Sequence, residues 1–145
     1  YVCRTKAGTT GKQAKVNQDI AITETRFPFG IKLFCVCDGH GLNGHLVSAF
    51  IKTHLISNLW IKWRENLNGS FNKLSKAPSL QELKEIVNNE LAKTNHQLLT
   101  SDINTELSGS TVVAVLIFGS KILSFNVGDS RAILIKQLPK EVIKI

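Results

Sequence analysis

Phe34-Cys35-Val36-Cys37-Asp38-Gly39-His40-Gly41-Leu42 is the stretch on which the reading of this chain turns. An apolar, strand-like run stops at an acid, a glycine, a histidine and a second glycine. A strand end holds a carboxylate on a rigid element. Glycine lets backbone carbonyl oxygens approach a cation, and His40 stands within reach of the same place. Hard divalent metals such as Mg²⁺ and Mn²⁺ prefer carboxylates, carbonyls and water. The stretch therefore reads as a metal-assisted site. The alternative is a strand followed by a tight turn, with Asp38 capping the turn and His40 solvated.

Outward from this stretch the apolar period changes twice. Ile20–Thr25 alternates apolar and polar, the period of a half-buried strand. Arg26–Gly30, with Pro28 and Gly30, reads as a turn. Ile31–Cys37 is apolar almost throughout and predicts a strand buried on both faces or nearly so. From Asn43 the pattern is helical: Leu46, Val47, Phe50, Ile51, Leu55, Leu59 and Trp60 recur at three- and four-residue steps. Asn66–Ala77 reads as a polar connector. Ser79 with Glu82 three residues on is a capping box, opening a second helix through Leu80, Leu83, Val87, Leu91 and Leu98 to about Thr100. The period then returns to two. Thr111–Phe118 is a β-branched strand, Gly119–Ser120 a hairpin turn, Lys121–Val127 the return strand, and Arg131–Lys136 a further strand after the tight turn at Gly128–Ser130. Strand runs on either side of a helix pair predict an α+β layered fold rather than alternating βαβ units.

The 145 residues make one domain or part of one. Methionine is absent and Glu141–Ile145 is strand-like without punctuation, so the chain is expected to be a piece of something longer. The formal charge is +7, but the lysines are scattered, with no basic run and no interleaved aromatics. This predicts a solvated surface rather than a nucleic-acid face. Three cysteines argue against a disulfide framework. Cys35 and Cys37 share one strand face and are expected to fill core space. The expected setting is a reducing, intracellular one, cytoplasmic or nuclear, with a targeting segment upstream left open. No apolar run is long enough to span a bilayer, so no membrane partner is expected.

Four islands stand in order along the chain: Asn17–Gln18–Asp19, Asp38–Gly39–His40–Gly41, Ser108–Gly109–Ser110–Thr111, and Gly128–Asp129–Ser130–Arg131. Each alone is ordinary turn or loop chemistry. Together they set carboxylates at strand ends on both sides of a helix pair. In this order and spacing they resemble the N-terminal half of the metal-dependent, 2C-type protein serine/threonine phosphatases. The resemblance implies a β-sandwich flanked by antiparallel helix pairs, of which residues 1–145 would supply about the first half. It implies two Mg²⁺ or Mn²⁺ ions in the complete domain. Asp38 would bridge them, with the Gly39 carbonyl as a further ligand. Asp19 would support bound water, and Asp129 would lie near a weaker metal position. His40 would be the general acid, and phosphorylated proteins the substrates. No cysteine or serine nucleophile is required, so Cys35, Cys37, Ser108, Ser110 and Ser130 are expected to be structural. Arg131 is expected to be an ion-pair partner.

The chain departs from the family pattern at named positions. Leu42 stands where the pattern has a further glycine, and leucine takes positive φ only at a cost. Gln18 replaces the first acid of the acidic pair. Ala14 stands where the family has a phosphate-binding arginine, leaving Lys12 and Lys15 as neighbouring cations, with Lys15 the candidate substrate contact. Nothing after Arg131 matches the family's later metal-binding aspartates, so residues 1–145 alone are expected to be inactive. The alternative is a phosphatase-like domain without catalysis, kept as a structural or binding module, with other domains or subunits as its partners.

Overall fold

The computed structural model describes residues 1–68 and 77–135. A small hairpin comes first, β1 (Thr9–Thr10) with β2 (Gln13–Ala14). Next come β3 (Asp19–Glu24), a 3₁₀ turn at Pro28–Gly30 and β4 (Lys32–Gly41). Two helices follow, α1 (Gly44–Asn68) and α2 (Leu80–Leu99). The last strands are β5 (Ser108–Ser110), β6 (Val112–Phe118) and β7 (Lys121–Val127). The five-stranded sheet is antiparallel, ordered β3-β4-β6-β7, with β5 continuing along β4 beyond β6. This is the α+β arrangement expected: one antiparallel sheet with a helix pair on one face.

β4 has strands on both edges. Asp19 pairs with Asp38 and Glu24 with Leu33 on the β3 edge, while Val36 pairs with Val113 and Gly39 with Ser110 on the other. Side chains alternate across a strand. One face of the sheet sends Ile22, Leu33, Cys35, Cys37, Val112, Ala114, Leu116 and Phe125 into the core. Against them α1 sets Val47, Ile51, Leu55, Leu59 and Trp63, and α2 sets Leu83, Ile86, Val87 and Leu98. Each buried Val, Leu, Ile or Phe among them contributes about 1.5–3 kcal/mol relative to exposure. Asn58 of α1 donates to Thr94 Oγ1 (3.1 Å) and Gln97 Oε1 (2.8 Å) of α2, so the helices are also tied by hydrogen bonds. The predicted capping box is present: Glu82 N donates to Ser79 Oγ (3.2 Å) and Ser79 N to Glu82 Oε2 (2.7 Å).

Several expectations need correction. β4 is not buried on both faces: Val36 is 46% exposed, whereas Cys37 is wholly covered. The continuous apolar run hid this alternation because cysteine and valine are both apolar. The strand does not stop before Asp38 but carries the motif to Gly41, because β5 supplies a partner edge there. Ser108–Ser110, read as loop, is that partner. Arg131–Ile135 forms no strand; Arg131, Ala132 and Ile133 instead line a groove over the open sheet face, together with Tyr1–Lys6. An apolar alternation needs a hydrogen-bonding neighbour to become a strand, and here the chain turns away from β7 at Gly128. α1 runs to Asn68, into the segment read as a connector. The rest of that connector through residue 76, with Lys136 and Glu141–Ile145, lies outside the described residues.

Glu24 shows how the sheet tolerates a charge at its covered face. Arg26 donates from its main-chain N (2.8 Å) and Nε (3.1 Å) to Glu24 Oε1, and from a terminal guanidinium nitrogen to Oε2 (3.0 Å). These hydrogen bonds hold the Glu24 carboxyl well below its ordinary range, at about 2 against 4.5, outweighing burial, which acts the other way. A depressed carboxyl stabilises the fold above its unfolded pKa. That contribution is lost as pH falls from about 4.5 through about 2. Thermal melts across this window should show wild type losing stability more steeply than Glu24→Gln, whose acid limb should be flatter.

Candidate active site

The end of β4 is built by three close approaches of main chain. Gly39 N donates to Gln18 O (3.2 Å), and a Cβ on Gly39 would strike the Gly44 and Gln18 carbonyl oxygens. In an antiparallel strand a residue's N–H and C=O leave by the same edge. The Gly39 carbonyl therefore also faces the Gln18–Asp19 side. Gly41 has φ +82°, and a Cβ there would run into Leu107 O. Leu42, where positive φ was expected to be a problem, is not in that region; among the described residues Phe29 alone has positive φ without being glycine. Gly41 takes the strained conformation, so leucine fits next to it and stays exposed.

The turn from β4 into α1 is fixed from the far side of the fold. Asn43 N donates to Ser108 Oγ (2.9 Å), and Asn43 Nδ2 to Asn104 O (2.8 Å). Asn43 O in turn accepts from Leu46 N and Val47 N, opening the helix. Fully buried Ser48 donates to Gln18 O (2.7 Å). Gln18 Oε1 is wedged against Gly44, buried and without a hydrogen-bond partner.

Asp19 and Asp38 lie directly opposite each other in the β3–β4 register. Directly opposed side chains on one sheet face are neighbours. The Asp19 carboxyl is pushed above its usual range, first by burial, then by the charge of Asp38 and a hydrogen bond with it. Two carboxylates held together at a cost are the donor chemistry a hard cation neutralises. His40, two residues on from Asp38, projects from the same open face. It pairs with Gly109, and its ring lies so close that a Cβ on Gly109 would sit 2.7 Å from His40 Nε2.

The remaining expected residues are set apart. Among the described residues no three His, Cys, Asp or Glu side chains form a metal-holding group, so the structure joins Asp19 to Asp38 without bringing His40 or Asp129 into the same cluster. Asp129 occupies the turn after β7, lining a separate depression with Ser124, Asn126 and Arg131. Lys15 lies beside the β1–β2 hairpin, its main-chain N donating to Gly8 O (2.8 Å), with no ion pair to either carboxylate. Arg131, expected in an ion pair, makes none among the described residues.

The matches to known proteins follow this geometry. The family model described as "Protein phosphatase 2C" matches residues 29–142, most of the chain. The chain belongs to the protein phosphatase 2C family. The matched region contains β4 with its Asp-Gly-His-Gly end, Ser108–Thr111 and the Gly128–Arg131 turn; Lys15, Gln18 and Asp19 precede it. The chain is 33% identical over 123 residues to "Probable protein phosphatase 2C 35" of Arabidopsis thaliana, covering 83% of this chain and 31% of that protein. It is 32% identical to "Probable protein phosphatase 2C 55" of Oryza sativa subsp. japonica, over 73% of this chain and 24% of that one. It spans about a third or less of the length of these family members. A solved structure, the PPM Ser-Thr phosphatase MsPP from Mycobacterium smegmatis in complex with cacodylate, is 24% identical with a TM-score of 0.48, over 88% of this chain and 44% of that one.

Two substitutions probe the site without ligand. Asp38→Asn should lower the Asp19 pKa, followed by carboxyl NMR titration. In cation-free neutral buffer it should raise thermal stability slightly, by well under about 1 kcal/mol, since exposed carboxylates are screened. Gly109→Ala should leave the fold intact while displacing the His40 ring, visible as a shift of its imidazole resonances with little change in melting temperature.

Proposed function

We propose that this chain supplies the first part of a metal-dependent phosphatase acting on phosphoserine and phosphothreonine in proteins. The observation that carries the reading is the paired Asp19 and Asp38 at the Gly39–His40 end of β4, in a member of the 2C family. Asp38 and the Gly39 carbonyl would hold Mg²⁺ or Mn²⁺, with Asp19 beside them and Asp129 at a further position. Such ions acidify a water for attack on phosphorus and neutralise phosphoryl charge. The rest falls to the chain's own side chains. The Asp19–Asp38 pair fixes where positive charge must sit. His40, exposed on the same face, gives a proton to the departing serine or threonine oxygen. Lys15 meets the phosphoryl group as a point charge, without the two-pronged geometry of an arginine.

The donor set on these residues suits one hard cation better than two, and two ions need further carboxylates. These would come from chain beyond the family's first half, in keeping with the share of the relatives that this chain covers. The test is phosphate release from phosphoserine and phosphothreonine peptides by the full-length protein, with Mn²⁺ and after chelation. Release should require the cation. Asp38→Asn should reduce it by two or more orders of magnitude, the scale of losing a principal charge-stabilising group. Lys15→Ala should raise KM more than it lowers kcat. Undiminished release by Asp38→Asn would remove Asp38 from the mechanism. No release by the full-length protein with Mn²⁺ would favour the non-catalytic module.

A further inference from the structure

The sheet ladder is interrupted at the residue on which the site depends. Asp38 stands opposite Thr111, since Val36 pairs with Val113 and Gly39 with Ser110. A hydrogen-bonded antiparallel pair exchanges two main-chain bonds. Here only one is made: Thr111 N donates to Asp38 O (2.9 Å). The Asp38 N–H instead donates to the Thr111 side-chain oxygen, Oγ1 (3.2 Å). The freed Thr111 carbonyl accepts from Ser110 Oγ (2.9 Å). Thr111 is only 7% exposed, so water is a poor substitute for these partners.

The same hydroxyl reaches the other acidic island. Thr111 Oγ1 and Ser130 Oγ are 2.7 Å apart and share a hydrogen bond. Gly128, at φ +100°, brings that turn so near that a Cβ on it would sit 2.8 Å from Thr111 Cγ2. Asp129 lies between Gly128 and Ser130. One side chain therefore touches the main chain of Asp38 through its oxygen, and the turn that carries Asp129 through both its oxygen and its methyl group.

We propose that Thr111 is a positioning residue whose hydroxyl couples the main chain of Asp38 to the Gly128–Ser130 turn, holding Asp38 and Asp129 in one fixed relation. The consequence for cation binding rests on the phosphatase reading given above; the coupling does not. The hydroxyl carries the coupling, and the methyl group adds packing against the turn. Serine keeps the oxygen but loses the methyl contact with Gly128, and valine keeps the shape but leaves the Asp38 N–H and Ser130 hydroxyl unpartnered.

The test is amide hydrogen exchange at Asp38, read by NMR in the full-length protein, with Mn²⁺ affinity measured by calorimetry on the same samples. Thr111→Val should speed exchange at Asp38 about tenfold, the scale of one lost hydrogen bond. Ser130→Ala, which leaves Asp38's own bonding partner in place, should also speed it several-fold. Thr111→Ser should stay near wild type. Mn²⁺ affinity should fall about three- to tenfold in Thr111→Val and in Ser130→Ala, and the double variant should be no weaker than Thr111→Val, because coupled groups are not additive. Wild-type exchange at Asp38 in Ser130→Ala would overturn the coupling, as would effects of the two substitutions that simply multiply. If Thr111→Val fails to fold, Ser130→Ala and Thr111→Ser still decide. Wild-type protein that binds no Mn²⁺ would sink the phosphatase reading, while the exchange measurement would still settle the coupling.

Discussion

The register of β4 against its two neighbours is the constraint on which the molecule depends. Because β-strand side chains alternate with a period of two, a slip by one residue would exchange the faces. Asp38 and His40 would then point at the helices, and Cys35 and Cys37 into the open groove. Core packing forbids this. Leu33, Cys35 and Cys37 are all at most 3% exposed, and α1 and α2 close over them. The apolar face thus decides which way the polar residues point. The carboxylates gain their place from the burial of their neighbours, not from interactions of their own. The repulsion between Asp19 and Asp38 is a cost that this packing carries.

The polar end of β4 is held by parts distant in sequence. Ser108 receives the Asn43 N–H, Thr111 receives the Asp38 N–H, Gln18 O receives the Gly39 N–H and the Ser48 hydroxyl. None of these bonds lies on the open face itself. They fix main chain and do not engage the side chains of Asp38 and His40. Glycines at 39, 41 and 109 serve the same end by letting carbonyl oxygens and the His40 ring approach where any Cβ would intrude. Ser108–Thr111 therefore acts as a brace for the site rather than as a loop beside it.

Much of the fold was legible in the residues. The capping box at Ser79 and Glu82 is a local, three-residue device and forms as read. The hairpin at Gly119–Ser120 joins Phe118 to Lys121 as expected. The apolar spacing marks most of the core stripe of each helix, while Trp63 and Ile86 are buried outside the stripes it marks. Misreadings came where a partner was needed. Ser108–Ser110 looks like loop sequence, and only the continuing edge of β4 makes it a strand. Arg131–Ile135 looks like strand sequence, but the chain turns away from the outer edge of β7 at Gly128 and pairs with no strand among the described residues. The open face of β4 was hidden because Phe34 and Val36 on it are as apolar as Leu33, Cys35 and Cys37 beneath the helices.

The order of the four islands was enough to place the chain in its family, and the resemblance, rather than any one island, nominated Asp19, Asp38, Gly39, His40 and Asp129. Which of them meet was a matter of folding. Asp19 faces Asp38 through a register set by two strands, and the Asp129 turn reaches Asp38 through Thr111, a residue 73 positions away from Asp38 whose island does not show which residues its hydroxyl meets. Spacing along a chain records what each segment can become. Contact between segments depends on the apolar faces they must bury together, and that is a property of the assembled sheet and helices.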